Sequence, residues 1–307
     1  MHKRLVPFLL VSGLFCLPAF NALQADESKI PDWNAALYAK YATPQFQHGM
    51  CMMDELPLKG NETILDIGCG PGTLTKVLAQ RVPKGKVIGI DASPSMIAYA
   101  KTLGIKNAEF YVMDATKIPY ENAFDVAYSN AVFHWIDDQE ALLKGIERAL
   151  KPGGLLRAQF GGKSSTSSSA QTPAMQKVVA ELAKKAPYRP YLKDVSSPVR
   201  ARFSKEEYKA IVLRVPGFQE VEVWETPSAN VFDTQEDLKG WVASLYTARY
   251  EGKLPENLRG PFLKDYLDGV MKLVEKRPDG KVVLQGQGQH VRINIRARKG
   301  QLGKGLP

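Results

Sequence analysis

Short apolar runs alternate with stretches of helical spacing along the middle of the chain. Runs typical of buried strands are predicted at residues 64–67, 86–91, 109–114, 124–129 and 155–160. Between them, residues 73–81 and 141–150 have the spacing of amphipathic helices. Strands that alternate with helices predict an α/β fold, a doubly wound and mostly parallel sheet.

Helical spacing also flanks this core on both sides. Residues 33–41 and 44–55 predict two helices before the first strand, separated by Thr43 and Pro44. The glycine- and serine-rich residues 161–169 read as a flexible linker. Beyond it we expect helices near 173–186, 204–213, 234–244 and 255–276, and strands at 221–225 and 291–297.

The predicted organisation has four parts. We expect a signal peptide or anchor at residues 1–25, a lid and leading helices at 26–62, a core at 63–163, and a helical substrate-side region with the last strands at 164–307. Lys3 and Arg4 precede an apolar run at 5–15, and small residues follow at 22–25, which is the pattern of a secretory signal. The run is short for a membrane span, although an uncleaved anchor stays open. The protein is therefore expected to be exported or envelope-associated if the signal is used, and cytoplasmic otherwise.

The basic charge is confined to the C-terminal part. The chain has 307 residues and a formal net charge of +9. Residues 30–163 carry 14 Lys and Arg against 14 Asp and Glu, whereas residues 164–307 carry 24 against 16. This excess is either a solvated surface or a field that attracts an anionic substrate, with Arg249, Arg259, Arg292 and Arg296 as candidates to pair with an acid.

Cysteines offer neither a disulfide framework nor a zinc site. Only Cys16, Cys51 and Cys69 are present, and their spacing matches no metal motif. We therefore expect no metal.

The stretch from residue 64 to residue 73 is a strand that runs into a glycine turn. Gly68, Gly70 and Gly72 follow the strand directly, and a helix follows them. In open α/β sheets this junction binds ligands, because glycine lets a ligand approach the backbone and the helix start favours negative charge. A dinucleotide fingerprint would need a third glycine at position 73, where threonine stands. The motif Leu-Asp-Ile-Gly-Cys-Gly-Pro-Gly instead resembles the cofactor loop of the class I S-adenosylmethionine-dependent methyltransferases.

Three acids, Asp66, Asp91 and Asp114, lie in or directly after three successive predicted strands. Asp91 stands about 20 residues past the glycine turn, where an acid can accept hydrogen bonds from ribose hydroxyls. We expect Asp114 to accept from the adenine amine, with the Ala115 N–H nearby, and Met96 to cover the purine face. Together the three acids favour a ligand site over three separate structural roles.

A wider resemblance covers residues 31–162. The segments at 32–38, 66–72, 89–97 and 129–135 resemble the family of trans-aconitate 2-methyltransferase and its relatives that act on malonyl-carrier protein. This implies a Rossmann-like fold with a seven-stranded sheet and a helical insertion before the last hairpin. It also implies a cofactor site made of Tyr38, Asp66, Gly68, Cys69, Gly70, Pro71, Gly72, Asp91, Ala92, Met96, Asp114, Ala115 and Asn130.

The segment after the fourth strand is expected to face the reacting methyl group, through Asn130, His134 and Trp135. It lacks the Asn/Asp-Pro-Pro-aromatic motif of enzymes that methylate nucleobase amines, which argues against nucleic acid as a partner. His134 stands where relatives commonly have glutamine, and it is either an orienting residue or a general base. We expect a monomeric methyltransferase for a small anionic molecule, with carboxylate O-methylation favoured; a hydroxyl or amine acceptor and a non-catalytic S-adenosylmethionine-binding protein are the alternatives.

Overall fold

The computed structural model describes residues 33–164, 174–192, 203–284 and 291–301. The predicted signal segment at 1–25 and residues 165–169 of the predicted linker lie outside these ranges. Within them, no helix combines the length and the apolar character that a membrane span needs.

Helices and strands alternate through the first half, as predicted. The helices are α1 (Ala35–Tyr41), α2 (Thr43–Asp54), α3 (Thr73–Arg81), α4 (Pro94–Thr102), α5 (Gln139–Ala149), α6 (Ala174–Leu182), α7 (Arg189–Leu192), α8 (Lys205–Val212), α9 (Gln235–Arg249) and α10 (Glu256–Met271). The strands are β1 (Thr63–Ile67), β2 (Lys86–Asp91), β3 (Ala108–Val112), β4 (Phe124–Asn130), β5 (Leu150–Gly162), β6 (Phe218–Pro227), β7 (Val231–Phe232), β8 (Val274–Lys276), β9 (Val282–Leu284) and β10 (Val291–Lys299).

Seven strands form one twisted sheet in the order β3-β2-β1-β4-β5-β10-β6. Strands β1 to β5 are parallel, and β10 runs antiparallel between β5 and β6. This confirms the predicted fold class. The chain leaves β1 towards β2 and β3 on one side and returns to β4 on the other, so a crevice opens where β1 and β4 end. Ligands of doubly wound folds bind at such a point.

Apolar side chains cover both faces of this sheet. Helix α5 packs on one face with α8, where Leu142, Ile146 and Tyr208 are fully buried. Helices α2 and α3 cover the other face around Met52, Met53 and Leu78. The cores on the two faces hold the strand ends in place, and those ends carry the polar side chains of the crevice.

The structure differs from the prediction in three details: the end of one helix, the presence of a second sheet and the start of β5. The helix predicted at 255–276 ends at Met271, and residues 274–276 form β8. A second sheet, β7-β9-β8, was not predicted, because strands of two or three residues have too few positions to show a period of two. Strand β5 begins at Leu150 rather than at the predicted residue 155, and its pairing with β4 is irregular near this start.

The helical region is divided by β6. Helices α6 and α7 precede β6, whereas α9, α10 and the small sheet lie between β6 and β10. Most of the insertion therefore lies inside the final antiparallel pair rather than before it. An aromatic cluster forms the core of the helical insertion. Its central ring, Phe262, lies 5.0 Å from Tyr188, 5.9 Å from Tyr246 and 6.1 Å from Tyr266, measured between ring centroids.

Helix α1 joins the insertion to the core by packing against α9. A Cβ atom on Gly240 of α9 would lie 2.5 Å from ring atoms of Tyr41, so the two helices touch only because position 240 has no side chain. The Tyr41 ring therefore packs against α9. On the core side, the Ser95 hydroxyl donates to the Trp33 carbonyl at 2.7 Å.

We expect Gly240→Ala to lower the free energy of unfolding by about 1–3 kcal/mol, because the added methyl group must displace Tyr41. Gly145→Ala in α5 is the matched control: its Cβ would meet Ile118 at an ordinary 3.5 Å, and alanine favours a helix by about 1 kcal/mol over glycine. Urea unfolding measures both changes. Equal stability of the two variants would contradict this packing.

Candidate active site

The glycine turn after β1 is held by its neighbours and has one open position. The backbone N–H groups of Gly68 and Cys69 both donate to the Ile90 carbonyl, at 2.7 and 3.0 Å. A Cβ on Gly68 would lie 2.1 Å from Val132, so this glycine makes room for a protein side chain. A Cβ on Gly70 would meet nothing within 4 Å, although its φ of +54° still favours glycine. Gly70 is therefore where a ligand can approach the backbone.

Asp91 fastens this turn to the start of α4. One carboxylate oxygen accepts from the Gly70 N–H and the other from the Ser93 N–H, both at 2.9 Å. Burial raises the pKa of Asp91, and the two backbone donors oppose that rise. Since each carboxylate oxygen has a second acceptor position, Asp91 can still receive the two ribose hydroxyls predicted for it.

Asp66 lies beneath the turn rather than along its open side. Its side chain is 2% exposed, and one of its oxygens accepts from the Thr75 hydroxyl at 2.6 Å. Burial raises the pKa of Asp66 to about 7, with Asp91 adding to the rise. Asp66 therefore ties β1 to α3, and its contact with the cofactor stays a prediction.

Other predicted cofactor residues are buried beside the turn. Cys69, Pro71, Gly72 and Met96 are buried, and Ala92 is half-buried directly after Asp91. The Cys69 side chain packs with the apolar group of Ile97, Ala100 and Phe110. Residues 69–72 are thus placed to contribute backbone rather than side chains.

Asp114 caps the short turn that follows β3. One of its oxygens accepts from the Thr116 N–H at 2.9 Å and from the Thr116 hydroxyl at 2.8 Å. The other oxygen lies 3.9 Å from Lys117 Nζ, and the side chain is 32% exposed. Asp114 and the half-buried Ala115 lie at the same edge of the sheet as Asp91, as predicted.

Strand β4 ends in a strained turn. Ala131 has a φ of +62°, an uncommon conformation for a residue with a side chain. Its N–H donates to the Gln159 carbonyl at 2.7 Å. Asn130 donates through Nδ2 to the Gln45 carbonyl at 2.9 Å, while its Oδ1 is buried without a partner. A buried acceptor without a donor is costly, so Oδ1 marks a place for a ligand donor.

His134 and Trp135 lie in the next turn, beside helix α1. The Gly161 N–H donates to His134 Nδ1 at 3.3 Å. Because a backbone N–H can only donate, Nδ1 is unprotonated and the neutral ring carries its proton on Nε2. The Trp135 ring lies 5.7 Å from that of Trp33 and 5.5 Å from that of His134.

Two of the four candidate arginines lie near these residues: Arg292 is buried and Arg249 is half-buried. Arg249 of α9 stacks on Trp135, with Cζ 5.0 Å from the ring centroid. Arg292 of β10 is 7% exposed. The Nε atoms of both are buried without a hydrogen-bond partner, and neither forms an ion pair with another described residue.

Arg259 and Arg296 are engaged elsewhere. Arg259 Nε donates to the Leu254 carbonyl at 3.1 Å. Arg296 is 54% exposed and lies 3.6 Å from Glu222. The charge excess alone could not separate these two residues from Arg249 and Arg292.

Tyr38 of α1 links the acidic and the basic side of the crevice. Burial raises its pKa to about 12; Asp91 adds to the rise, while Arg292 and Arg249 oppose it. Tyr38 thus stays a neutral hydroxyl within electrostatic reach of all three charges. His48 of α2 is also close to Arg292, since burial and then Arg292 lower its pKa to about 4.

Helix α2 shields the inner end of the crevice, a role the sequence did not reveal. Side chains of the strand ends donate to its backbone: Gln159 Nε2 to the His48 carbonyl at 2.6 Å and the Tyr128 hydroxyl to the Gly49 carbonyl at 2.8 Å. Gln45 also connects to the insertion, because its Oε1 accepts from Trp241 Nε1 at 3.0 Å. No group of three or more metal-ligating side chains occurs in the described ranges.

The residues present fit S-adenosylmethionine. The open backbone at Gly70 and the free acceptor positions of Asp91 suit a ribose, and the unpartnered Asn130 Oδ1 suits an ammonium donor. All three lie where β1, β2 and β4 end.

Comparison with known sequences gives the same assignment. The profile of a methyltransferase domain family matches residues 58–213. Trans-aconitate 2-methyltransferase of Variovorax paradoxus is 30% identical over 262 residues, covering 82% of this chain and 94% of the relative. Its Escherichia coli namesake is 25% identical, with the same coverage.

Solved structures share the fold. Phosphoethanolamine N-methyltransferase 2 of Haemonchus contortus, in complex with S-adenosyl-L-methionine, aligns with a TM-score of 0.56 at 20% identity, covering 87% of this chain and 58% of that one. The [4+2]-cyclase SpnF aligns with a TM-score of 0.53 at 17% identity, covering 89% and 87%. At these identities the likeness concerns the fold alone.

We expect Asp91→Ala to weaken S-adenosylmethionine binding by about 1–3 kcal/mol, roughly 5- to 150-fold, because ribose hydroxyls lose their acceptor. Asp54→Ala is the control, since Asp54 is 65% exposed and pairs only with Arg81. Calorimetric titration measures both affinities. Unchanged binding to the Asp91 variant would remove this residue from the cofactor site.

Proposed function

We propose that this chain, which belongs to the S-adenosylmethionine-dependent methyltransferase family, methylates a carboxylate of a small acid. The observation that carries the proposal is a pair of arginines, Arg249 and Arg292, whose Nε atoms are buried without a hydrogen-bond partner. Arg249 stacks on Trp135, in the segment expected to face the reacting methyl group. Arg292 lies opposite Gly161, whose N–H donates to His134. Both arginines act on Tyr38 together with Asp91.

Burying a guanidinium group without an anionic partner is costly, and proteins rarely do so without a reason. Burial lowers the pKa of Arg292 to about 10, which leaves the group charged at neutral pH. A bound carboxylate would supply the missing partner and accept from the free Nε atoms, in the fork geometry that arginine and carboxylate share.

Bound S-adenosylmethionine supplies an electrophilic methyl group on a positively charged sulfur. Gly70, Asp91 and Asn130 would hold the cofactor, and its methyl group would pass to a carboxylate oxygen while the electron pair of the broken carbon–sulfur bond stayed on the sulfur. The work of the protein is to hold the acid in line and to exclude water, which is worth up to ~7–11 kcal/mol for well-oriented reactants.

No general base is needed for this reaction, because a carboxyl group with a pKa near 4 is already ionised at neutral pH. The position of His134 agrees with that. Its Nδ1 is used by the Gly161 N–H, so Nε2 carries a proton and can donate to an anionic oxygen. His134 is therefore proposed to orient the acid, and Trp135 to support Arg249.

The names of the curated relatives support a small anionic acceptor. Those proteins are called trans-aconitate 2-methyltransferases, and the acid of this chain is left open. A hydroxyl or amine acceptor is the alternative, and it would give the two arginines no partner. The intact segment at 130–135 favours an enzyme over a non-catalytic binding protein.

We expect Arg292→Gln to raise KM for the acid roughly tenfold to hundredfold, the effect of losing a hydrogen-bonded charge pair. Arg296→Gln on the same strand is the matched control and should leave KM unchanged. A screen of carboxylates, amines and phenols identifies the acceptor, and alkali distinguishes the product, since only a methyl ester releases methanol. Alkali-stable products from every acceptor class would contradict carboxylate methylation.

We expect His134→Gln to keep turnover within about tenfold, because the residue is proposed to donate rather than to remove a proton. The dependence of kcat on pH should show no ionisation near pH 6–7 that the variant removes. Loss of activity by the ~10²–10⁴ expected of a missing acid–base group, with such an ionisation vanishing, would favour a hydroxyl or amine acceptor.

A further inference from the structure

The sheet leaves a space beside Arg292 on one face. Gly161 of β5 lies directly opposite Arg292 where β5 and β10 pair. Residues opposite each other in an antiparallel pair project to the same face, with Cβ atoms about 5 Å apart. Because position 161 has no side chain, Arg292 has no directly opposite side chain on β5, while on β6 it lies opposite Thr226.

The space is open on this face only. Among the residues that the structure describes, a Cβ on Gly161 would meet no atom within 4 Å outside its chain neighbours. At Gly162, which faces the other way, a Cβ would lie 2.3 Å from Ile293 and 2.9 Å from the Phe203 carbonyl. The face of the sheet on the side of Gly162 is therefore packed with protein atoms. The open space lies on the opposite face, to which Arg292 projects.

His134 borders the same space from the crevice. The Gly161 N–H donates to His134 Nδ1, which fixes the ring next to position 161. A ligand that reaches Arg292 over Gly161 therefore passes along His134. The space thus runs from the segment expected to face the methyl group to a nine-tenths buried cation whose Nε has no partner.

We propose that the space over Gly161 receives an anionic end of the acceptor, that Arg292 holds this end, and that glycine at position 161 sets the size of the acids that fit. Gly161 is then a specificity-determining residue. The inference rests on the proposed function and adds to it the residue that limits acceptor size. A methyl or isopropyl group at position 161 would occupy the volume beside the Arg292 stem and leave the cofactor turn untouched.

The test measures acid binding and methyl transfer separately. The probes are malonate, succinate, glutarate and the branched tricarballylate, titrated calorimetrically into protein saturated with S-adenosylhomocysteine. The variants are Gly161→Ala and Gly161→Val, with Gly252→Ala as the control, an exposed glycine that also has no atom within 4 Å of an added Cβ. Gly161→Ala adds a methyl group that meets no protein atom, so this variant is expected to fold.

We expect Gly161→Val to weaken binding of the larger acids at least tenfold more than binding of malonate, with Gly161→Ala between it and the wild type. Affinity for S-adenosylhomocysteine should not change, and Gly252→Ala should match the wild type. Equal effects on all acids, no effect on any of them, or no acid binding by the wild type would overturn the inference. Size-dependent acid binding without ester formation would instead overturn the proposed function, while the inference that Gly161 limits the size of the bound acid would still be supported.

Discussion

Two arginines whose buried Nε atoms have no partner among the described residues are the constraint on which the crevice depends. Arg292 is carried by β10, which runs between β5 and β6, and Arg249 by α9 of the insertion. Burying Arg292 and half-burying Arg249 costs free energy that solvated arginines would not cost. The cost is met by the cores that flank the crevice, the sheet on one side and the aromatic cluster around Phe262 on the other. In the proposed function, this stability is given up for binding the acid, as is common at functional sites.

Helix α1 lies near both the cofactor residue Asp91 and the two arginines proposed to bind the acid. Tyr38 is within electrostatic reach of Asp91 as well as of both arginines, and Trp33 lies against Trp135. The carboxylate of Asp91 is already held by two backbone N–H groups, so the turn is organised before a ligand arrives. Preorganised donors and acceptors are favourable for transfer reactions, since they need no rearrangement during the chemical step. The two halves of the crevice therefore act as one site.

The parts of this site that depend on local sequence could be predicted, and those that depend on long-range packing could not. The glycine turn, Asp91 and Asn130 follow strand ends, which periodicity locates well, and a parallel sheet brings these ends to one edge. The packing role of Gly68 against Val132 and the hydrogen bond of Asp66 with Thr75 could not be predicted, because these residues become neighbours only in the fold. The pairing of Arg292 with Gly161 depends on the register of two strands that lie about 130 residues apart in the chain. Strands β7 to β9 are too short to show a pattern of alternating apolar and polar residues.

The most direct test of the central claim is the unfolding free energy of Arg249→Met/Arg292→Met, measured without ligand. If the two charges are placed there for binding, replacing them with apolar side chains of similar length should raise the stability of the protein by about 1–4 kcal/mol and abolish methyl transfer to the acid. If the double variant is instead less stable than the wild type, the arginines support the fold, and the account of a preformed acid site is wrong.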